Sequence, residues 1–204
     1  MPQSPHDLPR LLPGLALAPA VLVDEHRRPD FRDIFIAALR HSSDVAVAVT
    51  RVRLSTLDLE PSDLAGVESM RVLVVELNAL TLDAEARLLH ADPRNALRVS
   101  LYRALLESGR LEVRSAPLGG WSPDFSVFSG PDGPWSVLCG KHWFQRPHPH
   151  RGPALSMLHL GDGAKLLARR HGEIWEQAHD VGPAIWSILS KAEQGYRLRA
   201  AATG

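Results

Sequence analysis

The chain has 204 residues, enough for one domain with a full-sized core, and its 45% apolar and 23% charged residues are ordinary for a soluble globular protein. Lys plus Arg and Asp plus Glu number 23 each, so the formal net charge is zero and no global field draws the chain toward nucleic acid or an anionic membrane. Cys139 is the only cysteine, which excludes an intrachain disulfide and a cysteine-based zinc site and suits a reducing cytoplasm.

Prolines at positions 2, 5, 9 and 13 mark residues 1–14 as a flexible arm. The apolar run Leu11–Val23 is broken by Pro13, Gly14 and Pro19 and is preceded by one arginine, Arg10. It fits a tail and then an edge strand over Leu15–Val23, not a secretory signal or a membrane span. Asp30 is placed to cap a helix in which Phe31, Ile34, Phe35, Ala38 and Leu39 share one face, ending near His41. The valine-rich runs Asp44–Thr50 and Arg71–Leu77 have the composition of strands buried on both faces. A short helix is expected between them, through Leu57–Val67. Thr81–His90 reads as a helix broken at Asp92-Pro93. Pro93 opens the next helix, which runs to Ser108 with Leu97, Leu101 and Leu105 along one stripe and Gly109 as its stop. Leu111–Ser115 is a short strand.

Phe125–Phe128 and Trp135–Cys139 flank the turn residues Gly130-Pro131-Asp132-Gly133 and form a β-hairpin. Its second strand ends at Gly140 and runs into the segment richest in titratable, aromatic and cationic groups: Lys141, His142, Trp143, Arg146, His148, His150 and Arg151. Ala154–Leu160 is a further strand. Gly161-Asp162 opens a helix, with Asp162 as its cap and Ala164, Leu167, His171, Ile174, Trp175 and Ala178 at helical spacing; Arg169-Arg170-His171 reads as a solvated basic face. Gly182-Pro183 breaks that helix, Ile185 to Arg199 forms the last one, and 200–204 is a frayed tail. Strands that alternate with helices and then cluster specify an α/β fold, a mixed β-sheet flanked by helices, as a single domain over 15–199.

This order of elements resembles one half of the phospholipase D superfamily over roughly Ser43 to Val181. The strand DVAVAVT resembles the family's opening buried strand, and ALRVSLYRALLESGRLEVRSA the helix and strand that lead to its signature. SVLCGKHWF resembles the second strand with its G-S-x-N-F-like turn, where Gly140 and Phe144 match while Lys141 and Trp143 stand for the Ser and Asn. GAKLLARRHGEIWEQAHDV resembles the closing helix, whose F-x-x-x-W-like end is kept as Ile174-Trp175. The family's His-x-Lys signature falls on Asp124-Phe125-Ser126, with Asp132 a poor stand-in for its acid. In the family that histidine attacks phosphorus and the lysine holds phosphate charge. Asp124 would repel phosphate and Ser126 brings no charge, so the resemblance implies a degenerate half domain that has lost the usual chemistry. Single-signature members pair two half-sites across a two-fold axis, so a homodimer is implied as well.

The main candidate site is the 141–151 segment. Lys141, His142, Arg146, His148, His150 and Arg151 offer donors to a phosphate or a carboxylate. The competing readings are a Pro-rich polar surface loop and a metal site on His148-x-His150 completed by a carboxylate. Arg51 and Arg53 follow a buried strand at its C-terminal end, where ligands gather in open α/β sheets, and Ser55 or Thr56 can cap the helix after them. The alternative is that both arginines are solvated or paired with Asp58 or Glu60. Trp121, Trp135, Trp143, Trp175 and Trp186 read as core or interface groups and Cys139 as an inert buried thiol. No phosphate-cradling glycine loop, H-E-x-x-H helix or G-x-S-x-G elbow is present, and no cofactor is expected. The expected function is a cytoplasmic, homodimeric binding or regulatory module for a phosphate-bearing ligand, with no membrane partner. Its first alternative is a phosphodiesterase or nuclease with a relocated centre built from Lys141, His142, His148 and His150, in which His142 beside Lys141 acts as nucleophile or base. A nucleic-acid-binding protein ranks behind both, because the net charge is zero.

Overall fold

The computed structural model describes residues 20–24, 29–51, 54, 59–75, 77, 79–116, 124–139 and 155–203. Among the described residues eight strands form one mixed sheet in the order β1-β7-β6-β5-β2-β3-β4-β8. They are β1 (Ala20–Asp24), β2 (Asp44–Val49), β3 (Ser69–Val74), β4 (Leu111–Ser115), β5 (Phe125–Gly130), β6 (Gly133–Cys139), β7 (Leu155–Leu160) and β8 (His179–Asp180). β2, β3 and β4 are parallel; every other pairing is antiparallel. The α-helices of the described residues are α1 (Phe31–Arg40), α2 (Ala79–Ala91), α3 (Ala96–Glu107), α4 (Asp162–Trp175) and α5 (Gly182–Thr203).

Alternation along the strands splits the core in two. Val45, Val47 and Val49 of β2, with Met70, Val72 and Val74 of β3, face a large cluster shared with α1, α2, α3 and α5. Ala46, Ala48 and Leu73 face the opposite cluster, closed by Ala164, Ile174 and Trp175 of α4. The molecule is therefore a sheet with four helices on one face and one on the other. The first face is anchored by a run of rings: Phe31 stacks on Phe35, Phe35 meets Phe128 edge-on at 5.4 Å, and Phe128 meets Trp135 at 6.1 Å.

Local chemistry explains the element ends. Asp30 accepts from the Asp33 amide while Asp33 accepts from the Asp30 amide, a reciprocal cap that starts α1. Gly109 ends α3 at φ 70°, and Gly133 closes the hairpin turn at φ 96°. Asp63 is buried, and Arg40 at the end of α1 donates to its Oδ1 at 2.6 Å. Arg110 spans from β4 to the carbonyls of Leu64 and Val67, tying the β2–β3 crossover to the sheet.

Several expectations are corrected. The crossover between β2 and β3 contains a 3-10 turn at Pro61–Leu64 in place of the expected helix; residues 55–58 lie outside the described residues. Pro93–Asn95 is likewise a 3-10 turn ahead of α3. Leu97 is 85% exposed, and the buried stripe of α3 is Val99, Tyr102 and Leu105. Gly161, not Asp162, occupies the N-cap of α4. β8 follows α4 in a stretch for which the sequence suggests only a break, and Gly182 begins the last helix. That helix continues to Thr203 in place of a tail frayed from residue 200.

Candidate functional site

The parallel strands β2, β3 and β4 all end at one edge of the sheet, which fixes the position of everything around them. β5 pairs antiparallel with β2, Ala48 opposite Phe125, so β5 begins at that edge with Asp124 just ahead of it. β6 pairs antiparallel with β5, Phe125 opposite Cys139, so β6 ends there. β7 pairs Met157 with Cys139 and starts there in turn. β6 thus ends and β7 begins at the edge where a carboxyl-end site belongs in an open α/β sheet.

Asp124 does not project a free carboxylate from this edge. Its Oδ1 accepts from both the backbone amide and the hydroxyl of Thr50, each at 2.8 Å, clamping the end of β2 to the start of β5. Ser126, two residues on, pairs with Val47 on one side and Leu138 on the other and so shares their core face; it is 1% exposed. Asp124 and Ser126, the positions to which the sequence resemblance assigns a His and a Lys, therefore carry an engaged acid and a sealed hydroxyl. Arg51 is exposed beside Thr50. Arg53 and the whole of Lys141, His142, Arg146, His148, His150 and Arg151 lie outside the described residues, as do Trp121 and Trp143. Among the described residues no three His, Cys, Asp or Glu side chains converge as a metal site. Cys139 is half-buried, and burial pushes its thiol pKa up, which keeps it protonated and a poor nucleophile at neutral pH.

Two residues of functional character go unflagged by sequence reasoning. Thr50 carries the clamp on Asp124, a contact 74 residues apart with no local sequence signal. His171, read as part of a solvated basic face, is 1% exposed under the sheet. Its Nε2 donates to the Val47 carbonyl at 3.1 Å, and its ring stacks on Trp175 with centroids 5.6 Å apart. Desolvation drives its pKa down to about 4, with the Arg71 charge adding to the fall and the Val47 carbonyl opposing it, so the imidazole is neutral. The spacing shared with Ala164, Leu167 and Ile174 was the available signal for its burial.

No family model matches the chain, and no curated protein sequence matches it. Solved structures do match in fold. TrmBL2, an archaeal chromatin protein whose structure shows a novel mode of DNA binding, has a TM-score of 0.50 and 14% identity, covering 86% of this chain and 59% of its own. A phosphatidylserine synthase of Haemophilus influenzae Rd KW20 has a TM-score of 0.50 and 9% identity, covering 90% of this chain and 45% of its own. Nuc, a phospholipase D family member from Salmonella typhimurium, has a TM-score of 0.47 and 11% identity, covering 79% of this chain and 96% of its own. The likeness shows the α/β fold, a mixed sheet flanked by helices. The chain spans 59% and 45% of the lengths of TrmBL2 and the phosphatidylserine synthase, and at these identities the likeness concerns architecture alone. Among the described residues no helix is long and apolar enough to cross a membrane.

Proposed function

We propose that this phospholipase D-like domain is catalytically silent and acts, as a homodimer, as a binding or regulatory module for a phosphate-bearing ligand. The observation that carries the reading is Asp124. A carboxylate held by two Thr50 donors stands where the resemblance puts a phosphorus-attacking imidazole. An anion at that point opposes a phosphoryl group instead of attacking it, and a buried serine two residues later supplies no compensating charge. The ligand's charge would be met by Arg51 and Arg53 together with Lys141, His142, Arg146, His148, His150 and Arg151. That β6 ends and β7 begins at the edge bearing Arg51 supports the grouping.

The test is turnover of bis-p-nitrophenyl phosphate and of DNA by the purified chain. No release above background is expected. Turnover that His142→Ala abolishes would overturn the reading in favour of a phosphodiesterase or nuclease with a relocated His142/Lys141 centre. Sedimentation at micromolar concentration is expected to give the mass of two chains; a single-chain mass would remove the dimer.

A second reading, DNA binding, is favoured by the fold likeness to TrmBL2. It would need a local basic stripe, because the net charge is zero. It predicts an affinity that falls steeply with salt, and absence of binding at low salt eliminates it.

A further inference from the structure

On the sheet face that carries α4, the helix covers β6, β5 and β2, and its last turn brings Trp175 over the neighbouring strands. Two arginines of those strands flank the Trp175 ring. Arg71 of β3 pairs with Glu112 of β4, and Arg114 pairs with Leu73, so the arginines are diagonal neighbours on one face. The Arg114 guanidinium carbon lies 4.5 Å from the centre of the Trp175 ring and that of Arg71 lies 5.9 Å away. Both arginines are half-buried, whereas Trp175 is buried.

Their hydrogen bonding is incomplete. Arg114 spends one nitrogen, Nη1, on the Trp175 carbonyl at 3.0 Å, where it also complements the C-terminal end of α4. The Arg71 side chain meets the ring and makes no hydrogen bond or ion pair among the described residues; its backbone bonds to His171. The acids on the same face are Glu112, opposite Arg71, and Asp180, opposite Arg114. Both are exposed, and neither forms an ion pair with these arginines. Asp180 is turned to its own helix start, accepting from the Gly182 amide at 2.8 Å.

We propose that Arg71 and Arg114, held against the Trp175 indole, form a binding site for a phosphate dianion, free or carried as a phosphomonoester. The class follows from the charge. Stacking on an aromatic ring fixes the plane of a guanidinium and leaves its edge donors directed outward, the geometry that grips tetrahedral oxyanions. Two guanidiniums supply two charges, and the neutral imidazole of His171 behind the ring adds none. A carboxylate matches only one of the two. The site lies on the α4 face and shares no residue with the edge around Asp124, so it stands or falls independently of the reading above.

The test is calorimetric titration of the full chain with inorganic phosphate at pH 8 and low salt. Saturable binding is expected, weakened about tenfold or more by Arg71→Gln and tightened a few-fold by Glu112→Gln, which removes the facing negative charge. Arg71→Gln breaks no side-chain hydrogen bond and loses only the contact with Trp175, so its circular dichroism should match the parent and its unfolding midpoint should fall only slightly. Acetate should bind about tenfold more weakly than phosphate. An adenosine 5′-monophosphate arm separates the sources: tighter binding than phosphate points to a nucleotide, equal binding to the free ion. Either outcome sustains the site. Absence of saturable heat overturns it, and so does phosphate binding that survives Arg71→Gln but is lost in Arg51→Ala or His142→Ala.

Discussion

His171 Nε2 donates to the Val47 carbonyl across 3.1 Å, and the imidazole is 1% exposed. Burial lowers the pKa of that imidazole to about 4 from the ordinary 6.5, so the unfolded chain binds the proton more readily than the folded one. The associated stability is fully present above pH 6.5 and is lost as the pH falls from there through about 4, with a slope of up to roughly 1.4 kcal/mol per pH unit. Urea denaturation across this window should show the loss, and His171→Gln, which keeps a donor for Val47 and does not titrate, should flatten it. An unchanged slope in that variant would assign the acid sensitivity to other groups. At Asp124 the expectation is a different kind of loss. Asp124→Ala leaves the Thr50 amide and hydroxyl without their acceptor at the junction of β2 and β5, at a cost of about 1–2 kcal/mol, read as a lower unfolding midpoint. Neither environment is written next to its residue. The burial of His171 was legible in its spacing from Ala164 and Leu167, but a helix turns about 100° per residue, so Arg169 and Arg170 point elsewhere and misled the reading. Asp124 and Thr50 meet only after the sheet has formed.

At the scale of elements, periodicity located most of the strands and helices and misplaced one stripe. Leu97, Leu101 and Leu105 are four apart, and each step of four rotates about 40° around an α-helix. Val99, Tyr102 and Leu105 set the face that meets the sheet and α5, which leaves Leu97 turned to solvent. Tertiary packing fixed the phase that leucine counting could not. β8 escaped notice because two exposed residues carry no alternation, and its pairing comes only from Arg114 and Ser115 of β4. The helix stop was legible for a reason that also yields a prediction. Gly109 ends α3 at φ 70°, with no atom within 4 Å of a built Cβ, so only backbone strain resists substitution. Gly109→Ala should therefore destabilise by about 1 kcal/mol, seen as a midpoint shift in urea without a change in the far-ultraviolet spectrum.

For the whole molecule, the α/β architecture was legible because the valine-rich β2 and β3 and the β5–β6 hairpin declare a sheet, and the segments between them supply its helices. The states of Asp124 and Ser126 were legible only as composition; the structure adds that one is clamped and the other sealed. On the proposed reading, an attempt to install hydrolysis there is a demanding test. In a variant carrying Asp124→His and Ser126→Lys, the histidine forfeits the Thr50 clamp. The lysine must place an ammonium where a 1% exposed side chain shares a face with Val47, Phe128 and Leu138. Desolvating that charge costs on the order of 3 kcal/mol or more unless the edge opens. The double variant should release no p-nitrophenol from bis-p-nitrophenyl phosphate above the parent's background and should unfold at markedly lower urea. A stable and active double variant would mean that the edge around Thr50 still keeps a phosphate seat and that two side chains alone separate this chain from catalysis.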